Sequence, residues 1–246
     1  MIPLRDDVPS RTFPVVNVVL IGVNALFFLL ELGLGSDLGR FLAQTAVVPL
    51  LYARPDGTMS LSDVLLTSLD PDLGGRVLLS MFLHGGWAHI LGNMLYLWIF
   101  GDNVEDRMGH GRYIAFYLIC GWVATYAHVL SDPSSRMPSI GASGAIAGVL
   151  GGYILLYPRA RVITMLPIFF YPLLIQIPAY LLLGLWFLQQ FISGSLALAV
   201  TTAQTGGIAW WAHVGGFLTG AALVGLLQKP QRRPPSRDVW WEDAVP

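Results

Sequence analysis

Apolar residues in this chain gather into long unbroken runs rather than alternating or recurring at amphipathic spacing. Six such runs stand out, at about 14–33, 86–104, 112–130, 142–157, 176–193 and 208–227. A helix needs roughly 20 residues, rising 1.5 Å each, to cross a ~30 Å hydrocarbon core. In lipid the backbone must satisfy its own hydrogen bonds, so only helices and closed barrels qualify. The sequence does not show the ten-residue alternation of barrel strands. The pattern therefore predicts an all-α, polytopic membrane protein with a six-helix bundle as its one membrane domain.

Polar and breaker positions divide the rest. Residues 1–13 read as a short polar arm, 14–228 as the membrane domain and 229–246 as a Pro-rich tail expected to be unstructured. Trp240 and Trp241 in that tail are expected to rest at the membrane interface. The long connection 34–85 is too apolar to be simply solvated. Leu61–Leu66 and Val77–Leu83 read as interfacial amphipathic pieces broken by Gly74, Gly75, Gly85 and Gly86. Pro167, Pro172 and Pro178 interrupt the apolar stretch 162–175, which places the start of the fifth span near Gln176–Pro178. Residues 194–207, rich in Ser, Thr and Gly, are expected to form a mobile cap.

Composition agrees with this picture: 54% of residues are hydrophobic, only 12% are charged, and mean hydropathy is +0.62. A soluble domain is excluded. With the N-terminus placed in the cytosol, the inner side holds Arg5, Arg11, Arg107, Arg112, Arg159, Arg161, Lys229, Arg232, Arg233 and Arg237. Only Arg40, Arg54, Arg76 and Arg136 fall outside. This bias predicts both termini in the cytosol. No basic domain exists to bind nucleic acid. The first run lacks a small-residue cleavage site and reads as an uncleaved anchor. Cys120, the single cysteine, lies within a run and reads as a packing residue. No internal repeat is apparent, which argues against a transporter.

Polar groups inside spans need a reason. Ser143, in Gly141-Ala142-Ser143-Gly144, opens the fourth run, where free helix N–H groups can hold an oxyanion. His213 lies in the sixth run, and His89 and Asn93 share a face of the second. The fourth run has sixteen residues, 142–157, or ~24 Å of helix, so it falls short of the core. Pro158 and Arg159 pin its inner end, which submerges Ser143 at the outer end. His213 lies roughly 7–8 Å below the outer end of its own run. The four polar residues thus share one level of the outer leaflet. Gly144, Gly148 and Gly152 face the sixth run's Gly216 and Gly220, letting the two helices approach closely. The implied chemistry is peptide-bond cleavage within the membrane. His213 is the general base to Ser143, and the Ser143 N–H, Asn93 and His89 are oxyanion donors. No carboxylate is expected near this level inside a span, so a dyad is predicted; Asp132 is the nearest acid in sequence.

Three ordered motifs resemble the rhomboid family of intramembrane serine proteases. They are His89-Ile-Leu-Gly-Asn93, Gly141-Ala142-Ser143-Gly144 and Ala212-His213-x-x-Gly216-x-x-x-Gly220. The resemblance covers roughly residues 12–228 and implies a six-helix bundle that cleaves transmembrane or juxtamembrane segments of membrane proteins. It implies Ser143 and His213 as the dyad, Asn93 and His89 in the oxyanion hole, and a structural His84. It also implies that Glu105, in Gly101-x-x-x-Glu105-x-x-x-Gly109, braces the inner end. The chain departs from the family's pattern at Gly75, where a tryptophan often precedes the arginine. It departs again at Ala147, where an aromatic often stacks on the catalytic histidine.

Blander readings compete. A lone intramembrane serine usually bonds its own helix, and a lone histidine can serve helix packing. A metal site built from His84, His89 and His213 lacks carboxylate or thiolate partners, so neither metal nor cofactor is expected. The main alternative is a catalytically silent relative that binds and escorts transmembrane helices. Partners are expected to be transmembrane substrates and the lipid bilayer. The expected location, on size and the minimal six-helix form, is a bacterial inner (plasma) membrane.

Overall fold

A computed structural model describes residues 1–168, 171–199 and 208–230. The chain opens with a strand, β1 (Ile2–Arg5), and a helix, α1 (Val15–Gly33). Three short helices follow: α2 (Leu38–Thr45), α3 (Leu61–Leu69) and α4 (Pro71–Ser80). Next come α5 (Trp87–Met108), α6 (His110–Ser131) and α7 (Ser143–Leu156). A hairpin of β2 (Arg161–Ile168) and β3 (Tyr171–Pro178) leads to α8 (Ala179–Ala199) and α9 (Trp210–Leu227). Each of the six apolar runs thus contains a helix. Four of these, α1, α6, α8 and α9, are long and apolar enough to cross a membrane, and α7 is a shorter apolar helix. The protein is a largely helical, polytopic membrane protein.

The all-α expectation needs one correction. β1, β2 and β3 form an antiparallel sheet in that order, with Ile2 opposite Met165 and Arg161 opposite Pro178. The polar arm is therefore partly a strand, and the proline-broken stretch is a hairpin. Prolines stop a helix but are tolerated in edge strands and strand ends, which is where Pro172 and Pro178 sit. Apolar residues on both faces of β2 hide the period-two signal, although Val162 and Thr164 are the buried pair. The helix of the fifth run, α8, begins at Ala179, just after Pro178.

α7 is the centre of the bundle: every residue from Gly144 to Tyr153 is buried. Its backbone touches that of α9. A Cβ on Gly216 would lie 2.0 Å from the Gly144 carbonyl oxygen, and one on Gly220 would lie 1.9 Å from that of Gly148. On another face of α7 the Cys120 side chain fills the space beside Gly148. Only glycine permits such approach, and dispersion along the whole contact is the return.

The opposite end from Ser143 is tied by Glu105. Its two carboxylate oxygens accept from the backbone N–H groups of Val16 and Asn17, at 3.0 and 2.7 Å. These are orphan donors of the first turn of α1, where negative charge is favoured. His110 bonds the same carboxylate. Asn17 in turn donates to the Leu97 carbonyl and accepts from Tyr113. Glu105 is fully buried, so this ligation compensates its desolvation. The bracing role implied by the resemblance has a concrete form here.

The long connection folds more than expected. Asp70 caps α4 by accepting from Asp72 and Leu73, with Pro71 in the first turn. Gly74 and Gly75 lie inside α4 and do not break it. Leu61, Leu65, Leu66 and Leu69 of α3 are all exposed, as an interfacial helix requires. Arg76 pairs with Asp72 and donates to the Ala43 carbonyl, so α4 is held to α2 despite Gly75. Residues 194–199 of the expected cap belong to α8; residues 200–207 and the tail from Gln231 lie outside the described residues.

Gly220→Val tests the helix contact. The new Cβ must displace backbone, so unfolding in detergent should be easier by about 1–3 kcal/mol. Gly184→Ala on α8, which has open space around it, should leave stability unchanged or slightly raised. Equal unfolding curves for Gly220→Val and the unaltered protein would contradict the packing described.

Candidate active site

The segment before α7 sets the geometry of Ser143. Val47 and Ser139 exchange backbone hydrogen bonds, and the Gly141 N–H donates to the Ser80 carbonyl at 2.8 Å. Gly141 takes φ +127°, a conformation that L side chains rarely adopt, and the chain then enters the helix at Ser143. Ser143 is thus a first-turn residue whose N–H has no partner within the helix.

The Ser143 hydroxyl lies 2.8 Å from His213 Nε2. This contact spans α7 and α9, and both residues are only half-buried. His213 Nδ1 lies 2.7 Å from the amide oxygen of Gln190 on α8. Trp186 lies beside the same ring, with centroids 5.8 Å apart and planes 37° apart, and Trp210 approaches edge-on at 6.5 Å. The aromatic neighbour missing at Ala147 is therefore supplied from α8.

His89 flanks the other side of Gly141. A Cβ built on Gly141 would meet His89 Nε2 at 2.7 Å and stand 3.7 Å from Ser143 Oγ. His89 Nδ1 accepts from the Gly85 N–H at 3.3 Å. Asn93, one turn along α5, is buried, and its amide nitrogen lies 3.0 Å from His84 Nε2. It makes no direct hydrogen bond to Ser143 among the described residues. Behind it, the His84 N–H donates to Glu31 at 3.0 Å. Glu31 is a buried carboxylate on α1 that touches this level, which corrects the expectation of none. Asp132 accepts from the Ser134 hydroxyl, and among the described residues it makes no hydrogen bond to His213.

A cavity of about 20 Å³ opens beside Ser143, with polar lining from Ser80, Thr125 and Ser139. That volume admits one water. Among the described residues no three His, Cys, Asp or Glu side chains converge to hold a metal ion. Gln190 and Glu31 are the site residues missed in the sequence. Their signal was polarity within an apolar run.

Comparison with known proteins gives the wider context. The family model described as a Rhomboid domain matches residues 74–230. The chain is 42% identical over 79 residues to "Rhomboid protease GluP" of Bacillus subtilis, covering 32% of this chain and 15% of that protein. It is 31% identical over 154 residues to the mitochondrial presenilin-associated rhomboid-like protein of Bos taurus, covering 58% and 36% respectively. "RHOMBOID-like protein 5" of Arabidopsis thaliana is 35% identical over 79 residues, covering 32% and 26%. The matched stretches span at most about a third of these three relatives' lengths. The relatives include bacterial and mitochondrial proteins, so they do not single out the bacterial inner membrane.

Burial, and next the neighbouring His89, push the His84 imidazole from its ordinary 6.5 down to about 4. The folded protein therefore binds this proton less readily than the unfolded chain. This difference costs no stability above pH 6.5, where the ring is neutral in both states, and imposes a growing penalty as the pH falls toward 4. Thermal unfolding should show the wild type losing stability across that window more steeply than His84→Gln. Parallel curves would contradict it.

Proposed function

Since the chain belongs to the rhomboid family, we propose that it is an intramembrane serine endopeptidase acting on transmembrane or juxtamembrane segments of membrane proteins. The observation that carries this reading is the 2.8 Å contact between Ser143 Oγ and His213 Nε2. Its placement at the start of a buried helix, beside an N–H with no partner within that helix, adds support.

The chemistry runs as acyl transfer. His213 Nε2 takes the hydroxyl proton as Ser143 Oγ attacks the scissile carbonyl carbon. The oxyanion is held by the Ser143 N–H, His89 and the Asn93 amide. Collapse breaks the C–N bond, and His213 returns its proton to the leaving amine. Water, deprotonated by the same histidine, then releases the acyl product and restores the hydroxyl.

The proposed topology has six spans with both termini in the cytosol and residues 14–228 as one membrane domain. Structural coherence supports it. β1 pairs with β2, Asp6 bonds Tyr153, and the Lys229 N–H donates to the Arg107 carbonyl. Arg5, Arg107, Arg112, Arg161 and Lys229 therefore gather at one end, opposite Ser143. α7 has 14 residues, ~21 Å of helix, so its Ser143 end lies below the surface of a ~30 Å core. A peptide bond reaches that depth only if the substrate helix unwinds locally, so helix-weakening residues near the cut should be favoured.

The test is cleavage in proteoliposomes of single-span reporter proteins. Reporters with glycine near the outer membrane boundary should be cut faster than spans of alanine and leucine alone. Ser143→Ala and His213→Ala should each lower turnover by about a thousandfold or more while binding persists. Equal cleavage of both reporter types would remove the unwinding requirement. Binding without any cleavage by the wild type would favour a silent, helix-escorting protein.

A further inference from the structure

A base can take the Ser143 proton at Nε2 only if its hydrogen sits on Nδ1. In a neutral imidazole one nitrogen donates and the other accepts, and the partner of one decides the role of the other. Here the partner of Nδ1 is the amide oxygen of Gln190 at 2.7 Å. An amide oxygen only accepts, so Nδ1 carries the hydrogen and Nε2 presents its lone pair to Ser143. Gln190 is 4% exposed, so its amide meets the His213 ring in a buried position. A carboxylate here would need further ligands to offset its desolvation, as Glu105 has. The neutral amide orients the ring without that requirement.

The same helix supplies a second restraint. Trp186 is four residues before Gln190 and therefore on the same face of α8, and its ring lies against His213. That face also packs on α9 through Phe187 against Phe217, with rings 4.7 Å apart, and through the Trp211 indole N–H bonded to the Gly194 carbonyl. The other face is lipid-directed, with Leu181, Leu185, Leu188 and Ile192 all exposed. Both restraints on the His213 ring thus come from one peripheral helix and neither from α7.

Resting on the protease reading above, we propose that Gln190 is the positioning residue of this site. It holds His213 in the Nδ1–H tautomer, which leaves Nε2 free to act as the base for Ser143.

The experiment uses the full chain in detergent micelles: wild type, Gln190→Leu, which keeps the volume and removes the acceptor, and Gln190→Glu, which keeps an acceptor. Nitrogen NMR of labelled histidine, with His213 assigned by comparison with His213→Gln, reports the tautomer. Turnover of a glycine-containing reporter is measured in parallel. Wild type should show Nδ1–H. Gln190→Leu should lose that single tautomer and lower kcat by about tenfold or more with KM within about twofold. Gln190→Glu should recover much of kcat. A wild-type Nε2–H tautomer would overturn the proposal, as would Gln190→Leu with unchanged tautomer and kcat. If Gln190→Leu fails to fold, the wild-type tautomer and Gln190→Glu still decide. An inactive wild type with an Nδ1–H ring would defeat the protease reading and leave the positioning role standing.

Discussion

The backbone contact between α7 and α9 is the constraint on which the rest depends. Ser143 and His213 are 70 residues apart and sit on different helices. A hydroxyl and an imidazole reach across 2.8 Å only because Gly216 and Gly220 let α9 rest on the α7 carbonyls of Gly144 and Gly148. Any larger residue there separates the axes, and Ser143 and His213 separate with them. Lipid provides no hydrophobic drive between helices, so shape complementarity and dispersion must hold this contact. Packing and chemistry are therefore one requirement placed on the same glycines.

The two ends of the bundle are built differently. At the basic end a fully buried carboxylate is ligated by helix N–H groups and a histidine, joining α1, α5 and α6 through Glu105, Asn17, His110 and Tyr113. That network anchors the helices rigidly. At the other end, among the described residues, Glu31 meets His84, His84 meets Asn93, and Gln190 meets His213. The α7 helix begins there after a glycine at φ +127°, and its first N–H groups have no partner within the helix.

Much of this was legible in the residues. Long apolar runs located the six longer helices, α1 and α5 to α9, and glycine spacing located the α7–α9 seam. The rarity of polar groups inside spans pointed to Ser143, His213, His89 and Asn93. The misses have physical reasons. Gln190 and Glu31 lie near the ends of their runs, where polarity usually marks only a boundary, and just their tertiary partners give them meaning. The sheet escaped because β2 is apolar on both faces and prolines suggested irregular chain, whereas pairing with β1 depends on residues some 160 positions away. Gly74 and Gly75 looked like breakers, yet the Asp70 cap carries α4 through them. Trp186 stands where Ala147 left a gap, a substitution between helices that no local motif records.

The central claim is that Ser143 is a nucleophile activated by His213. The most direct test is reaction of the purified, folded protein with a fluorophosphonate, followed by digestion and mass spectrometry to locate the adduct. The account predicts one phosphonylated residue, Ser143, with loss of the adduct in a folded His213→Ala protein. A folded wild type that takes no label, or takes it on another residue, would contradict it.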